Sequence, residues 1–236
     1  MKNIGTKLKY TAMGIGGAIA LLVVWSFIEP RTLNTKNETA KIPNLPASWS
    51  GKQVAQLTDF QIGLWGDNRG TARRSVAEIV EAKPAVALIS GDFLYHPGKN
   101  IKPEIETVVD IVTPLVEAGI PTYAVLGNHD YGMSGKKAQP KTEIAAQLES
   151  ALESAGIEVL ENEAVQLPSS DNEPLYLVGV GSLWAGRDNV DEALNDVPDG
   201  SPRIVMMHNP DTFEQFPQNS APLSAGSIQD GKFATN

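Results

Sequence analysis

The 236 residues include no cysteine, which excludes disulfides, thiolate zinc sites and cysteine nucleophiles, while 42% hydrophobic content is enough to build one sizeable core. The formal charge is -9, and beyond residue 28 the chain holds 16 basic against 28 acidic residues, a balance of -12. A field of that sign opposes a nucleic-acid backbone, and no basic patch with interleaved aromatics reverses it.

Residues 1–9 carry Lys2, Lys7 and Lys9, and residues 10–28 contain no charge. That stretch is close to the length needed to cross a hydrocarbon core of about 30 Å. Trp25 sits near its far end, Glu29-Pro30 closes it, and no small-x-small pattern follows. These features predict a transmembrane signal anchor rather than a cleaved signal peptide. Three basic residues, Arg31, Lys36 and Lys41, follow the span as three precede it. The closeness of Lys7 and Lys9 to the span tilts the N-terminus to the cytoplasmic side and the remainder outward. Pro30, Pro43 and Pro46 among polar residues make 29–50 an extended tether, leaving 51–236 as the single domain.

Within 51–236 the pattern alternates strand and helix. Val54 to Thr58, Ala85 to Ser90 and Ile120 to Leu126 are apolar runs that predict buried strands. Between them, Thr71 to Ala82 and Glu104 to Ala118 place apolar residues at helical spacing, with Thr71 as a candidate cap. This βαβαβ rhythm predicts a parallel sheet. After a polar loop, 136–141, a helix is expected over Thr142 to Ala155, closed by Gly156. Short strands are then expected at Ile157–Leu160, Ala164–Leu167, Leu175–Val180 and Arg203–Met207, as a second sheet packed on the first.

Four of these strand ends carry chemistry. The first runs into Asp59-Phe60-Gln61, the second into Gly91-Asp92, the third into Gly127-Asn128-His129-Asp130, and the run Ile204 to Met207 ends in His208. Open α/β sheets place their sites at the carboxyl ends of strands, and this mixed oxygen and nitrogen set suits divalent metals. Taken singly, Asp59 or Asp92 could cap the next helix, Asn128-His129-Asp130 could form a turn, and His208 could begin one. Taken together, three strand ends with otherwise unexplained polar groups favour a metal site. His96, in the loop after Asp92, reads as a surface residue.

The order Asp-x-(His), Gly-Asp, Gly-Asn-His-Asp, His resembles the calcineurin-like metallophosphoesterases over roughly residues 50–226. The resemblance implies a four-layer α/β/β/α sandwich and two-metal hydrolysis of phosphate mono- or diesters. In that chemistry paired ions hold a hydroxide and clamp the phosphoryl oxygens. It implies Asp92 as the bridging carboxylate, Asp59 and Gln61 completing one site, and Asn128 and His208 completing the other. His129 is implied as proton donor to the leaving oxygen, with Asp130 holding its imidazole in one tautomer. The ions are two divalent metals among Mn, Mg, Zn and Fe.

Two departures stand out. Gln61 replaces an imidazole, and an amide oxygen is tolerable for harder ions such as Mg²⁺ or Mn²⁺. No Gly-His-x-His follows His208, so the expected fold is C-terminally incomplete, by truncation or by a frameshift near Gly231 to Thr235, and lacks the strands that would close the second sheet. The alternative to an active enzyme is a catalytically impaired remnant, or a membrane-tethered binding module without a complete dimetal site.

Overall fold

The computed structural model describes residues 2–28, 32–64, 67–95, 97–98, 100–170, 173–216 and 223–226. They divide into two compact units, Met1–Lys36 and Asn37–Asn236. In the first, α1 (Lys2–Ile28) is a 27-residue helix. Its segment Lys9–Ser26, of mean hydropathy 1.3, is long and apolar enough to cross a membrane, a test that an N-terminal signal sequence also passes. The helix end expected at Glu29-Pro30 lies outside the described residues.

In the second unit, β1 (Val54–Leu57), β2 (Val86–Ile89), β3 (Thr122–Ala124) and β4 (Glu158–Val159) pair in chain order, every pair parallel. The crossovers are α2 (Arg69–Ala82), α3 (Lys102–Glu117) and α4 (Thr142–Ser154). A second sheet holds β5 (Glu163–Leu167), β6 (Leu175–Gly179), β7 (Arg203–Met207) and β8 (Leu223–Gly226), with β5 antiparallel to β6 and the other pairs parallel. A short α5 (Val190–Leu194) precedes β7.

Side-chain alternation along each strand divides the apolar residues among three cores. Ala87 and Ile89 of β2 face a cluster with Val108, Ile111 and Val112 of α3 and Leu148 and Leu152 of α4. Val86 and Leu88 face the other way, onto Leu177, Ile204 and Met206 of the second sheet. Val178, Val205 and Met207 then point outward to Val190 and Ala193 of α5 and to Phe216. Both faces of each sheet are covered, which is why β2 is apolar at every position and buried throughout. The layers are helices, sheet, sheet and α5, the four-layer α/β/β/α sandwich expected.

Several details differ from the sequence reading. β4 belongs to the first sheet, because α4 returns the chain parallel to β3 and pairs Tyr123 with Glu158. The second sheet gains a fourth strand, β8, along β7, where none was expected. The residues from 227 onward, including Gly231 to Thr235, lie outside the described ones. Helix α2 begins at Arg69, with Asn68 rather than Thr71 at its N-cap, and the Asn68 amide donates to the Phe60 carbonyl instead of capping. The tether is irregular through 32–42, but Ile42, Leu45 and Trp49 already pack on the inter-sheet core, so the domain starts upstream of residue 51.

At Gly179 of β6 the layers are in close contact, since a Cβ there would lie 2.2 Å from the Leu160 Cβ and 3.2 Å from Val125 Cγ1. Gly179→Ala therefore forces the layers apart. The expected cost is about 1–3 kcal/mol, as for overpacking elsewhere, read as a lower urea midpoint with an unchanged slope.

Candidate metal centre

Beyond β1 and β2 the two chains stay paired. The N–H groups of Asp59, Gln61 and Ile62 donate to the carbonyls of Gly91, Asp92 and Phe93 at 3.0, 2.9 and 2.8 Å. Within this paired exit, Asp59, Gln61 and Asp92 all adopt left-handed backbone conformations, with φ of +55°, +46° and +55°. Such conformations cost about 1–3 kcal/mol each and persist where surroundings fix them. Three of the seven such non-glycine residues described fall at this one strand-end cluster.

The ligating atoms of Asp59, Asp92 and His208 lie within 4.8 Å of one another. Asp92 Oδ1 is 3.3 Å from His208 Nε2, and both residues are buried. His208 Nδ1 faces the Ser90 carbonyl at 2.8 Å, so it carries a proton and leaves Nε2 toward the carboxylates. Burial pulls the His208 pKa down, but the hydrogen bond and charge of Asp92, the Ser90 carbonyl and the charge of Asp59 outweigh it and raise the value to about 9. A group of carboxylates that draws a proton onto a buried imidazole will also draw a cation, which displaces that proton. The donor set therefore fits a divalent ion.

Asp59 accepts from Thr58 Oγ1 at 2.7 Å through Oδ2 and from Gln61 Nε2 at 3.2 Å through Oδ1. Gln61 thus turns its nitrogen, not its oxygen, to the carboxylate. Asn128 is buried, donating to the Met133 carbonyl at 3.2 Å and accepting from Asn209 Nδ2 at 3.4 Å. His129 donates its backbone N–H to Asp92 Oδ1 at 2.9 Å, and its ring Nε2 is 3.9 Å from Asp92 Oδ2. Of the five expected metal-binding residues, Asp59, Gln61 and His208 are linked to Asp92 through side-chain or main-chain contacts, whereas the side chain of Asn128 meets Met133 and Asn209.

Asp130 does something other than expected. Its Oδ2 accepts from the N–H groups of Asp92 and Gly127 at 2.9 and 2.8 Å, and its Oδ1 from that of Leu94 at 3.0 Å. The His129 imidazole instead meets the Tyr95 carbonyl through Nδ1 and stacks on the Tyr95 ring, centroids 5.4 Å apart. The tautomer of His129 is therefore set by the main chain of the β2 exit. Adjacency in sequence suggested Asp130, but consecutive residues leaving a strand diverge. Complete burial, then the charge of Asp92, push the Asp130 pKa up to about 7, against the pull of the Leu94 and Gly127 N–H groups and the charge of His208.

Gly127 is required by this closeness, since a Cβ there would lie 2.2 Å from Asp92 Oδ1 and 2.5 Å from the Asp92 nitrogen. Tyr95, Ser90 and Asn209 were not singled out from the sequence; only the adjacency of Asn209 to His208 gave a signal. His96 lies outside the described residues.

Asp130→Asn would place an amide NH₂ against backbone donors that now share a carboxylate. The metal-free protein is expected to lose about 1–3 kcal/mol or more of stability by chemical denaturation. A role confined to the His129 tautomer would leave that stability unchanged.

The family described as calcineurin-like phosphoesterase matches residues 52–229. The chain is also similar to two proteins of Bacillus subtilis (strain 168). It is 22% identical to the uncharacterized metallophosphoesterase YkuE over 185 residues, 78% of this chain and 60% of that protein. It is 26% identical to the uncharacterized protein YpbG over 159 residues, 64% of this chain and 54% of that one. The chain thus spans less than two thirds of the length of either relative. With the family match covering most of its length and the strand-end ligands gathered at one centre, this chain belongs to the calcineurin-like phosphoesterase family.

Proposed function

We propose that the chain hydrolyses phosphate mono- or diesters with two divalent ions. One is held by Asp59, Gln61 and Asp92, the other by Asp92, Asn128 and His208. The observation that carries this reading is the convergence of Asp59, Asp92 and His208 within 4.8 Å at the ends of strands from both sheets. Paired divalent ions supply a nucleophile from water at neutral pH and neutralise the phosphoryl oxygens. Asp92 is the bridging residue of this reading, since its carboxylate lies with Asp59 of one ligand set and His208 of the other. With Nδ1 committed to the Tyr95 carbonyl, His129 would bring a proton to the leaving oxygen through Nε2. Gln61 would turn its amide to present oxygen, a ligand suited to Mg²⁺ or Mn²⁺.

Helix α1 supports a single-pass membrane protein with the hydrolase domain on the outer side, as Lys7 and Lys9 orient it. The -12 balance beyond residue 28 turns the substrate preference away from nucleic acid. A second reading, an impaired remnant or tethered binding module, is favoured by one observation, the Gln61 nitrogen directed at Asp59.

Hydrolysis of p-nitrophenyl phosphate and its bis ester with added Mn²⁺, Mg²⁺ or Zn²⁺ separates the two, since turnover with none of them selects the impaired reading. Asp92→Ala is expected to remove metal and activity together, and a full metal complement by elemental analysis would refute the bridging role. His129→Ala should lower turnover by about 10²–10⁴-fold with metal content unchanged. Loss of metal instead would make His129 a ligand.

A further inference from the structure

The buried carboxamides of Asn128 and Asn209 form a chain whose direction is fixed at both ends. Asn209 Oδ1 accepts from the backbone N–H of Trp184 at 3.2 Å and from Ser182 Oγ at 3.1 Å. A backbone N–H can only donate, so this end of Asn209 must be oxygen and the opposite end must be its NH₂. That NH₂ donates to Asn128 Oδ1 at 3.4 Å, and the Asn128 NH₂ in turn donates to the Met133 carbonyl at 3.2 Å, a group that can only accept. Asn128, Asn209 and Ser182 are each no more than 4% exposed, so water does not supply alternatives.

We propose that Asn209 is a positioning residue that dictates which end of the Asn128 carboxamide is offered to the metal centre, an inference that rests on the dinuclear reading above. The two ends of an amide are nearly the same size, so packing does not distinguish them; hydrogen bonds do. Only the oxygen can ligate a cation, because the amide nitrogen carries hydrogens and no free lone pair. Reversing Asn128 would set its NH₂ against that of Asn209 and its oxygen against the Met133 carbonyl. Each buried group left without a partner disfavours that state by about 5–150-fold. The metal site served by Asn128 and His208 is therefore oriented from the turn after β6, through Trp184 and Asn209, as well as by the residues that touch the ion.

The test is calorimetric titration of the full chain in detergent, stripped with chelator, using Mn²⁺. Asn209→Asp adds a negative charge beside the centre, so simple attraction would tighten binding. A carboxylate cannot donate to Asn128 Oδ1, however, and the directional chain then turns Asn128 over. The expected result is loss of one of two bound ions, or weakening of one by at least about tenfold, with the other retained. Ser182→Ala leaves the Trp184, Asn209, Asn128 and Met133 sequence intact and should bind both ions within about twofold of the parent. If Asn209→Asp melts below the titration temperature, Asn209→Ala carries the test: it keeps the Met133 contact but withdraws the donor to Asn128 Oδ1, and a smaller selective weakening of one ion, by at least about threefold, is expected. Two ions bound as tightly as in the parent by the Asn209 variant, with only a lowered melting temperature, overturn the inference and leave the dinuclear reading standing. A parent chain that binds fewer than two ions overturns both.

Discussion

The whole centre hangs on one buried carboxylate. Asp130 gathers the N–H groups of Asp92, Leu94 and Gly127, two from the exit of β2 and one from that of β3. Two chain segments leaving parallel neighbours would otherwise diverge, each with buried donors unsatisfied, and a buried unpaired backbone group costs about as much as a lost hydrogen bond. A single anion, charge-assisted on three sides, closes both exits at once. Its position is the reason Gly127 comes against Asp92 at a distance that admits no side chain.

The exit of β2, from Ser90 to Tyr95, then serves as the frame of reference for both imidazoles and for the segment that carries Asp59 and Gln61. It contributes Asp92 itself. Its Ser90 and Tyr95 carbonyls orient the two imidazoles, and its Gly91, Asp92 and Phe93 carbonyls hold the continuation of β1 that carries Asp59 and Gln61. Main-chain groups move less than side chains, so orienting both histidines from one backbone segment fixes them relative to each other. The left-handed conformations of Asp59, Gln61 and Asp92 are held in place by the same pairing.

Much of this was legible in the sequence, for identifiable reasons. The second and third strands lie in continuous apolar runs because helices cover one face and the second sheet the other, whereas β1, expected to be buried, is an edge strand with Val54 exposed and Ala55, Gln56 and Leu57 half-buried. The convergence of Asp59, Asp92 and His208 was legible because each follows the end of a strand. The fourth strand is only two residues long, so its allegiance to the first sheet depends on where α4 delivers it, which periodicity does not encode. Likewise β8, Leu-Ser-Ala-Gly, has no β-branched residue and is drawn into strand by the edge of β7. Helix α5 is too short to show a period, although Asn189 accepting from the Glu192 N–H at 3.2 Å with a glutamate at that position is a capping signal that was there to be read. The hydrogen-bond partners of Asp130 were not legible, because Asp92 and Leu94 are 38 and 36 residues away, and the family resemblance pointed to His129 instead.

The division of ligands between the layers has a mechanical consequence. Asp92 stands at the rim of one sheet and His208 at the rim of the other, so the ion proposed between Asp92, Asn128 and His208 would be a rivet across the seam between them. Its binding free energy then adds to cohesion between the layers rather than within either, at about 2.7 kcal/mol when the free ion exceeds its dissociation constant a hundredfold. Starving the protein of cation would loosen the sandwich along that seam, and the rigidity of the fold would track the mineral content of its surroundings.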